Sequence, residues 1–251
     1  VFASYPAKAL IVHLSASKAK ALSFTLDINR PERFTTVAQQ NKLLMKGIMN
    51  NGASGEGMKY RVIVTPVLKG GSTQTTGNKL VIKNATEVML LITSATNYRL
   101  HYPDYTNTNY ENELEQSTKT AVSKPYSMLR SEHVADFSSY MKRVSLQLGN
   151  NKNTLPTDEL LQKNKQTQNE QQLYALYFQY GRYLLLSSSR QGSLPANLQG
   201  MWANKIQTPW NCDYHTDVNV QMNYWPAEVT NLSETHLQLT ELIASLQAPG
   251  S

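Results

Sequence analysis

The chain has a single cysteine, Cys212, so no disulfide can form within it. It has no apolar run long enough to span a membrane as a helix. No phosphate-cradling Gly-rich loop or dinucleotide fingerprint occurs, and Gly192-Ser193-Leu194-Pro195 reads only as a turn. Cys212 with His215 falls short of a thiol-protease signature, and Cys212-Asp213-Tyr214-His215 is too sparse for a metal site. Neither a cofactor nor a metal is expected. The chain opens at Val1-Phe2-Ala3-Ser4 without an initiator Met or a charged-then-apolar leader. It reads as a fragment or processed product, so the missing leader says nothing about export.

There is also no block of Lys or Arg, although the formal net charge is +6. Residues 1–100 carry 13 Lys/Arg against 4 Asp/Glu, whereas residues 101–251 carry 11 against 14. The cations are scattered singly along strand-like sequence, with no nucleic-acid motif beside them. This pattern favours a solvated basic face over a nucleic-acid partner.

At 251 residues the chain suffices for one large domain or two ordinary ones, each with a sizeable core. The first hundred residues read as β. Ala9–Ser15, Ala21–Asn29, Leu43–Met49, Lys59–Leu68, Lys79–Lys83 and Glu87–Thr93 are rich in Val, Ile, Leu, Thr and Phe. Turn signals separate them at Gly52–Gly57, Gly70-Gly71-Ser72, Thr76-Gly77-Asn78 and Lys83-Asn84-Ala85. Short strands at this spacing predict packed antiparallel sheets. Residues 101–170 read as a helical linker: a polar helix at Glu111–Ser123, a longer periodic stretch at Pro125–Gly149, a loop at Asn150–Asn153 and a short helix at Pro156–Lys165. Gln166–Gln172 reads as a mobile surface segment. A second domain occupies residues 171–251. It opens with an apolar stripe of Leu173, Leu176, Tyr177, Tyr180, Tyr183, Leu184 and Ser187. A helix is expected around Asn219–Thr230, and another after the capping-box-like Asn231-Leu232-Ser233-Glu234. Two or three helices do not close a helical domain, so this one reads as partial.

What is plentiful lies between Gly192 and Glu234. That stretch holds all three tryptophans, six asparagines, a histidine and several carboxylates. Flat rings stack on the C–H faces of sugars, and amides and acids bind hydroxyls, so the composition suits a carbohydrate. His215, Asp217 and Asn219 alternate, and an extended loop would turn all three to one side. The bland reading is that Asp217 caps the next helix and His215 bonds locally; spacing admits both. Asn219, Asn223 and Ala227 share one helical face, and so many amides in a helix suggest a polar cavity. Trp202, Trp210, Tyr224 and Trp225 are stacking candidates, although each taken singly fits a core better than a sugar platform. Glu228 and Glu234 suit capping or surface roles better than catalytic ones.

Two blocks carry a resemblance: Ser187-Ser188-Ser189-Arg190-Gln191-Gly192-Ser193-Leu194-Pro195-Ala196-Asn197-Leu198-Gln199-Gly200, and Tyr214-His215 with Asn219-Val220-Gln221-Met222-Asn223-Tyr224-Trp225-Pro226-Ala227-Glu228. With Phe2-Ala3-Ser4-Tyr5-Pro6 and Asn29-Arg30-Pro31-Glu32-Arg33 upstream, the chain resembles glycoside hydrolase family 95, the 1,2-α-L-fucosidases and α-L-galactosidases. The resemblance implies a multidomain β and α architecture. Residues 1–100 would be the C-terminal part of an N-terminal antiparallel β-supersandwich, 101–170 the linker, and 171–251 the first helices of a catalytic (α/α)6 barrel. It also implies an inverting exo-glycosidase that acts on fucosylated or L-galactosylated oligosaccharides. In that family a glutamic acid protonates the leaving oxygen, and asparagines polarised by a distant aspartate activate a water.

Carried over by position, His215 would contact the sugar and Asn219 would hold the water. Asp217 stands where the family pattern has Asn. It would act directly as base, bind another hydroxyl, or impair the relay. Trp202, Trp210 and Asn223 complete the expected substrate contacts. The general acid and relay aspartate have no match here, so the chain alone is expected to be inactive, the rest of the polypeptide completing the barrel. A periplasmic, secreted or cell-surface location in a bacterium is expected, without a membrane span. The alternative is a non-catalytic carbohydrate-binding protein on the same scaffold.

Overall fold

The computed structural model describes every residue except Ser54 and residues 151–153. Most of the loop expected at Asn150–Asn153 therefore lies outside the described residues. The chain divides into two compact units, Val1–Asp136 and Phe137–Ser251.

Among the described residues, the first unit is built on nine strands: β1 (Phe2–Ser4), β2 (Ala9–Ser15), β3 (Leu22–Leu26), β4 (Phe34–Gln39), β5 (Lys42–Asn50), β6 (Glu56–Lys69), β7 (Ser72–Thr76), β8 (Lys79–Ala85) and β9 (Glu87–Thr96). They form a six-stranded antiparallel sheet in the order β1-β2-β9-β6-β5-β4 and a three-stranded antiparallel sheet in the order β3-β8-β7. Alternation along β9 shows how both faces are covered. Val88 and Leu90 pack with Ile82, Ala85 and Phe24 of the smaller sheet. Met89 and Leu91 pack instead with Ala121 and Leu129 of the helices α1 (Tyr110–Val122) and α2 (Tyr126–Met141). The sheet is thus covered by a second sheet on one side and by helices on the other.

The six expected strands are present, and three more accompany them. β7 reads Ser-Thr-Gln-Thr-Thr and has no apolar residue to reveal it. β4 joins β5 through Gln40 and Asn41, both at positive φ (49° and 58°), a two-residue hairpin turn without its usual glycine. Pro66 sits in β6 beyond the last β5 pair, Leu43↔Val64, where its missing N–H leaves no ladder partner unsatisfied.

Several helical expectations need correction. α2 ends at Met141, well short of Gly149; in the periodic stretch Leu129 is buried and Phe137, Tyr140 and Met141 pack against a core cluster, but Met128, Val134 and Leu146 are exposed. Gln166–Gln172 contains the end of α3 (Thr157–Thr167), a left-handed cap at Gln168 and the start of α4 (Gln171–Ser188), which is ordered helix-turn-helix. Of the predicted stripe on α4, Leu173 is buried but Leu176, Tyr177, Tyr180 and Tyr183 are exposed; the rest of the buried face holds Arg182, Leu185, Leu186 and Ser188. The Asn219–Thr230 helix is broken into α5 (Asn219–Tyr224) and α6 (Pro226–Val229), because Pro226 opens a new helix. The capping box does not form: a 3-10 turn covers Ser233–Thr235 and α7 starts at Leu237 (Leu237–Ser245).

Candidate functional site

The second unit's core joins Leu185, Leu186, Ala196, Val220, Tyr224, Ala227, Leu232 and Leu239, so the loops around Gly192 and Asn219 rest on one apolar cluster. Tyr224 is its polar pivot. Its buried hydroxyl lies 2.6 Å from Ser189 Oγ and accepts the Ala196 N–H at 2.7 Å. Burial pushes the Tyr224 phenol up, against those two hydrogen bonds, so it stays protonated. Tyr214 fastens the same loop by donating to the Pro195 carbonyl at 2.8 Å.

Arg182 is 2% exposed and has no ion pair with a carboxylate among the described residues. Its guanidinium donates to the carbonyls of Tyr140 (3.0 Å), Met141 (3.0 Å), Val144 (3.3 Å) and Thr230 (3.1 Å), and to Gln179 Oε1 (2.9 Å). These bonds cap the ends of α2 and α6 together, where helices leave carbonyls unpaired. Desolvation lowers the Arg182 pKa, with neighbouring Arg143 adding to the effect. Neither Arg182 nor Tyr224 was identified as a pivot from sequence. The only available signal was a lone Arg on the apolar side of a helix.

The predicted site residues fall into two groups. Trp202 and Asn223 line a groove of about 760 Å³ with Tyr180, Gln199 and Pro226. Trp202 is held over Gly200, where a Cβ would lie 2.5 Å from the indole and where φ is +70°, so only glycine fits comfortably. Asn223 donates from Nδ2 to the carbonyls of Asn197 (3.1 Å) and Ala196 (3.4 Å), so its amide nitrogen braces the loop. Gln199 donates to the Pro209 carbonyl at 3.0 Å, while its buried Oε1 has no partner among the described residues.

Trp210, His215, Asp217 and Asn219 lie outside that groove. Trp210 is 70% exposed on a turn in which Trp210, Asn211 and Cys212 all take left-handed φ (48°, 55° and 56°). Three such non-glycine residues cost roughly 1–2 kcal/mol each. The extended geometry expected for residues 215–219 is not seen. Residues 216–218 form a turn, with β-branched Val218 at φ 85°, and the His215 carbonyl accepts the Val220 N–H at 3.0 Å. Convergence of the three side chains therefore does not follow from strand alternation. The bland alternative fails as well, since α5 has no side-chain cap. Among the described residues, the side chains of His215, Asp217 and Asn219 have no hydrogen-bond or ion-pair partner, and Asn219 opens the first turn of α5.

Glu228 and Glu234 are engaged elsewhere. Glu228 lies 2.7 Å from His236 Nδ1, and that hydrogen bond holds its carboxyl below the usual range. Burial opposes ionisation of Glu234, but hydrogen bonds from its own backbone and from Arg143 (2.7 and 3.0 Å) outweigh it. A general acid needs a raised pKa, so neither suits that task.

A model of the glycosyl hydrolase family 95 catalytic domain matches residues 125–251, and one of the glycosyl hydrolase family 65 N-terminal domain matches residues 1–101. Probable alpha-fucosidase A of Aspergillus niger is 32% identical over 263 residues, covering 99% of this chain and 32% of that protein. Probable alpha-fucosidase A of Aspergillus oryzae is 31% identical over 252 residues, covering 93% and 34%. Alpha-L-fucosidase 2 of Arabidopsis thaliana is 29% identical over 281 residues, covering 99% and 33%. The chain spans about a third of the length of these curated relatives.

Proposed function

The chain belongs to glycoside hydrolase family 95, and from that premise we propose that it is part of an inverting exo-glycosidase that removes terminal α-L-fucosyl or α-L-galactosyl residues. The observation that carries this reading is the set of His215, Asp217 and Asn219 at the mouth of α5, whose side chains have no partner among the described residues, inside the matched catalytic domain. Asn219 would hold the attacking water, with His215 on the sugar and Trp202, Trp210 and Asn223 as further contacts.

An amide is a poor base, so a carboxylate must supply the basicity. Asp217, two residues from Asn219, is the nearest candidate in sequence; otherwise it binds a sugar hydroxyl. Inversion leaves room for water between acid and base, about 6.5–9.5 Å between carboxyl groups. Glu228 and Glu234 are already paired, so the acid and the relay aspartate would come from further barrel helices of the same polypeptide. Residues 1–251 alone would then not turn over. The domain reading goes with this: 1–100 as the end of a supersandwich, 101–170 as linker, and 171–251 as the opening of the (α/α)6 barrel, in a periplasmic, secreted or cell-surface protein.

The test is to assay the intact protein on 2′-fucosyllactose and on an α-L-galactoside, following the anomer released by NMR. Release of the β-anomer first supports inversion. No turnover of either substrate would leave a non-catalytic carbohydrate-binding protein, the reading favoured if Asp217 in place of Asn marks lost chemistry.

A further inference from the structure

Asn51-Gly52 is the one Asn-Gly pair in the sequence. It lies in the exposed turn between β5 and β6, just past the cross-strand pair Asn50↔Glu56. Gly52 takes φ +84°, and a Cβ on it would meet no atom of the described residues within 4 Å. The peptide nitrogen after Asn51 is therefore crowded neither by a side chain of its own nor by packed neighbours. Gly55 lets the Asn51 side chain fold back over the turn, since a Cβ there would lie 2.6 Å from Asn51 Nδ2.

The turn grips the Asn51 amide by its oxygen. Asn51 Oδ1 accepts the N–H groups of Ala53 and Gly55, both at 2.9 Å. Asn51 Nδ2 has no partner among the described residues. The Gly52 N–H donates to Asn50 Oδ1 at 2.9 Å, outside the strand ladder. Arg33 secures the far side, donating from Nη1 to the Gly55 carbonyl at 2.9 Å.

These features favour one reaction. Two backbone donors at Oδ1 draw electrons from Cγ and stand where negative charge gathers when a nucleophile attacks it. The Gly52 nitrogen is that nucleophile, tethered in the same chain, and the unbound Nδ2 is the leaving group. We infer that Asn51 deamidates spontaneously and that the folded turn promotes it. Hydroxide removes the Gly52 N–H proton, and the nitrogen bonds to Cγ. The Cγ–Nδ2 bond then breaks, and ammonia leaves with a proton from water, which regenerates hydroxide and leaves a succinimide. Water opens that ring at either C–N bond. Opening at Cγ gives aspartate. Opening at the main-chain carbonyl gives isoaspartate, which routes the main chain through Cγ and lengthens the hairpin by one atom. Either product adds a negative charge to the turn at neutral pH. The site is independent of the glycosidase reading, because none of its residues lies in the catalytic-domain match.

The experiment is incubation of the intact protein at neutral and mildly alkaline pH, followed by peptide mapping with mass spectrometry. Asn51 is expected to convert severalfold faster than Asn84, an exposed asparagine followed by alanine, and faster in native buffer than in urea. The rate is expected to rise with hydroxide. Asn51→Gln is expected to abolish the signal from this peptide, because the longer side chain closes its ring far more slowly. Ala53→Pro removes one donor to Oδ1 and is expected to slow conversion severalfold, with circular dichroism checking the fold. If that variant unfolds, the comparison of native and urea-unfolded protein decides. Conversion of Asn51 no faster than Asn84, equal or faster conversion in urea, a rate indifferent to pH, or an unchanged rate in folded Ala53→Pro overturns the inference.

Discussion

The hydroxyl of Tyr224 meets that of Ser189 at 2.6 Å, across 35 residues of sequence and inside the core. Because the same oxygen accepts the Ala196 N–H at 2.7 Å, one side chain of α5 holds both the end of α4 and the loop that follows it. Tyr224→Phe strands a buried N–H and a buried hydroxyl at once. It is expected to lower stability by about 1–3 kcal/mol, read from urea denaturation. An unchanged midpoint would show that the hydroxyl carries no such role.

Arg182 predicts a larger effect. Arg182→Ala removes five hydrogen bonds from a buried site and takes from the helix-end carbonyls of Met141 and Thr230 the donor that Arg182 supplies, while Val144 keeps Gln179 and Tyr140 keeps the Arg143 N–H. The expected loss is about 3 kcal/mol or more by the same measurement. Arg182→Lys should recover only part of it, because an ammonium has three donors and no planar fork.

Gly200→Ala sets a Cβ 2.5 Å from the Trp202 ring at a φ of +70°. The indole must move, which intrinsic tryptophan fluorescence will report as a shifted emission maximum. If the groove binds sugar through Trp202, the KM of the intact protein rises with it.

Asn219→Ala in the intact protein is expected to lower kcat about 10²- to 10³-fold, in line with loss of one positioned hydrogen-bonding group. Asp217→Asn distinguishes the roles open to Asp217. A steep fall in kcat marks a base, largely retained activity a hydroxyl ligand, and a rise an aspartate that impairs the relay.

Acid should weaken the second unit. Glu228 and Glu234 are both held below their ordinary value of 4.5, so their stabilisation is complete above that pH and is lost as pH falls through the lower folded value. Both pairs are largely exposed, so each contributes about 1 kcal/mol or less. Glu228→Gln/Glu234→Gln is expected to flatten the fall in urea midpoint between about pH 5 and about pH 3.

Much was legible in the sequence. Ala9–Ser15 is a strand with those bounds, and the expected strands Leu43–Met49 and Lys59–Leu68 fall within β5 and β6. β-branched and aromatic residues at period two leave few other solutions for a chain that must bury them. The resemblance in residues 187–228 named the family that the catalytic-domain match bears out, because those motifs are read locally.

Tertiary structure alone decided the rest. The polar β7 exists because β8 offers it a ladder, and β4 because Gln40 and Asn41 accept left-handed turns. No periodicity predicts that Arg182, on the apolar side of α4, will be satisfied by carbonyls at two other helix ends, since its partners lie about 40 residues before it and 48 after it. The His215–Asn219 run shows the same division. Its residue types were plain from sequence, but the turn at Val218 that sets their directions depends on how α5 seats Val220 and Tyr224 in the core.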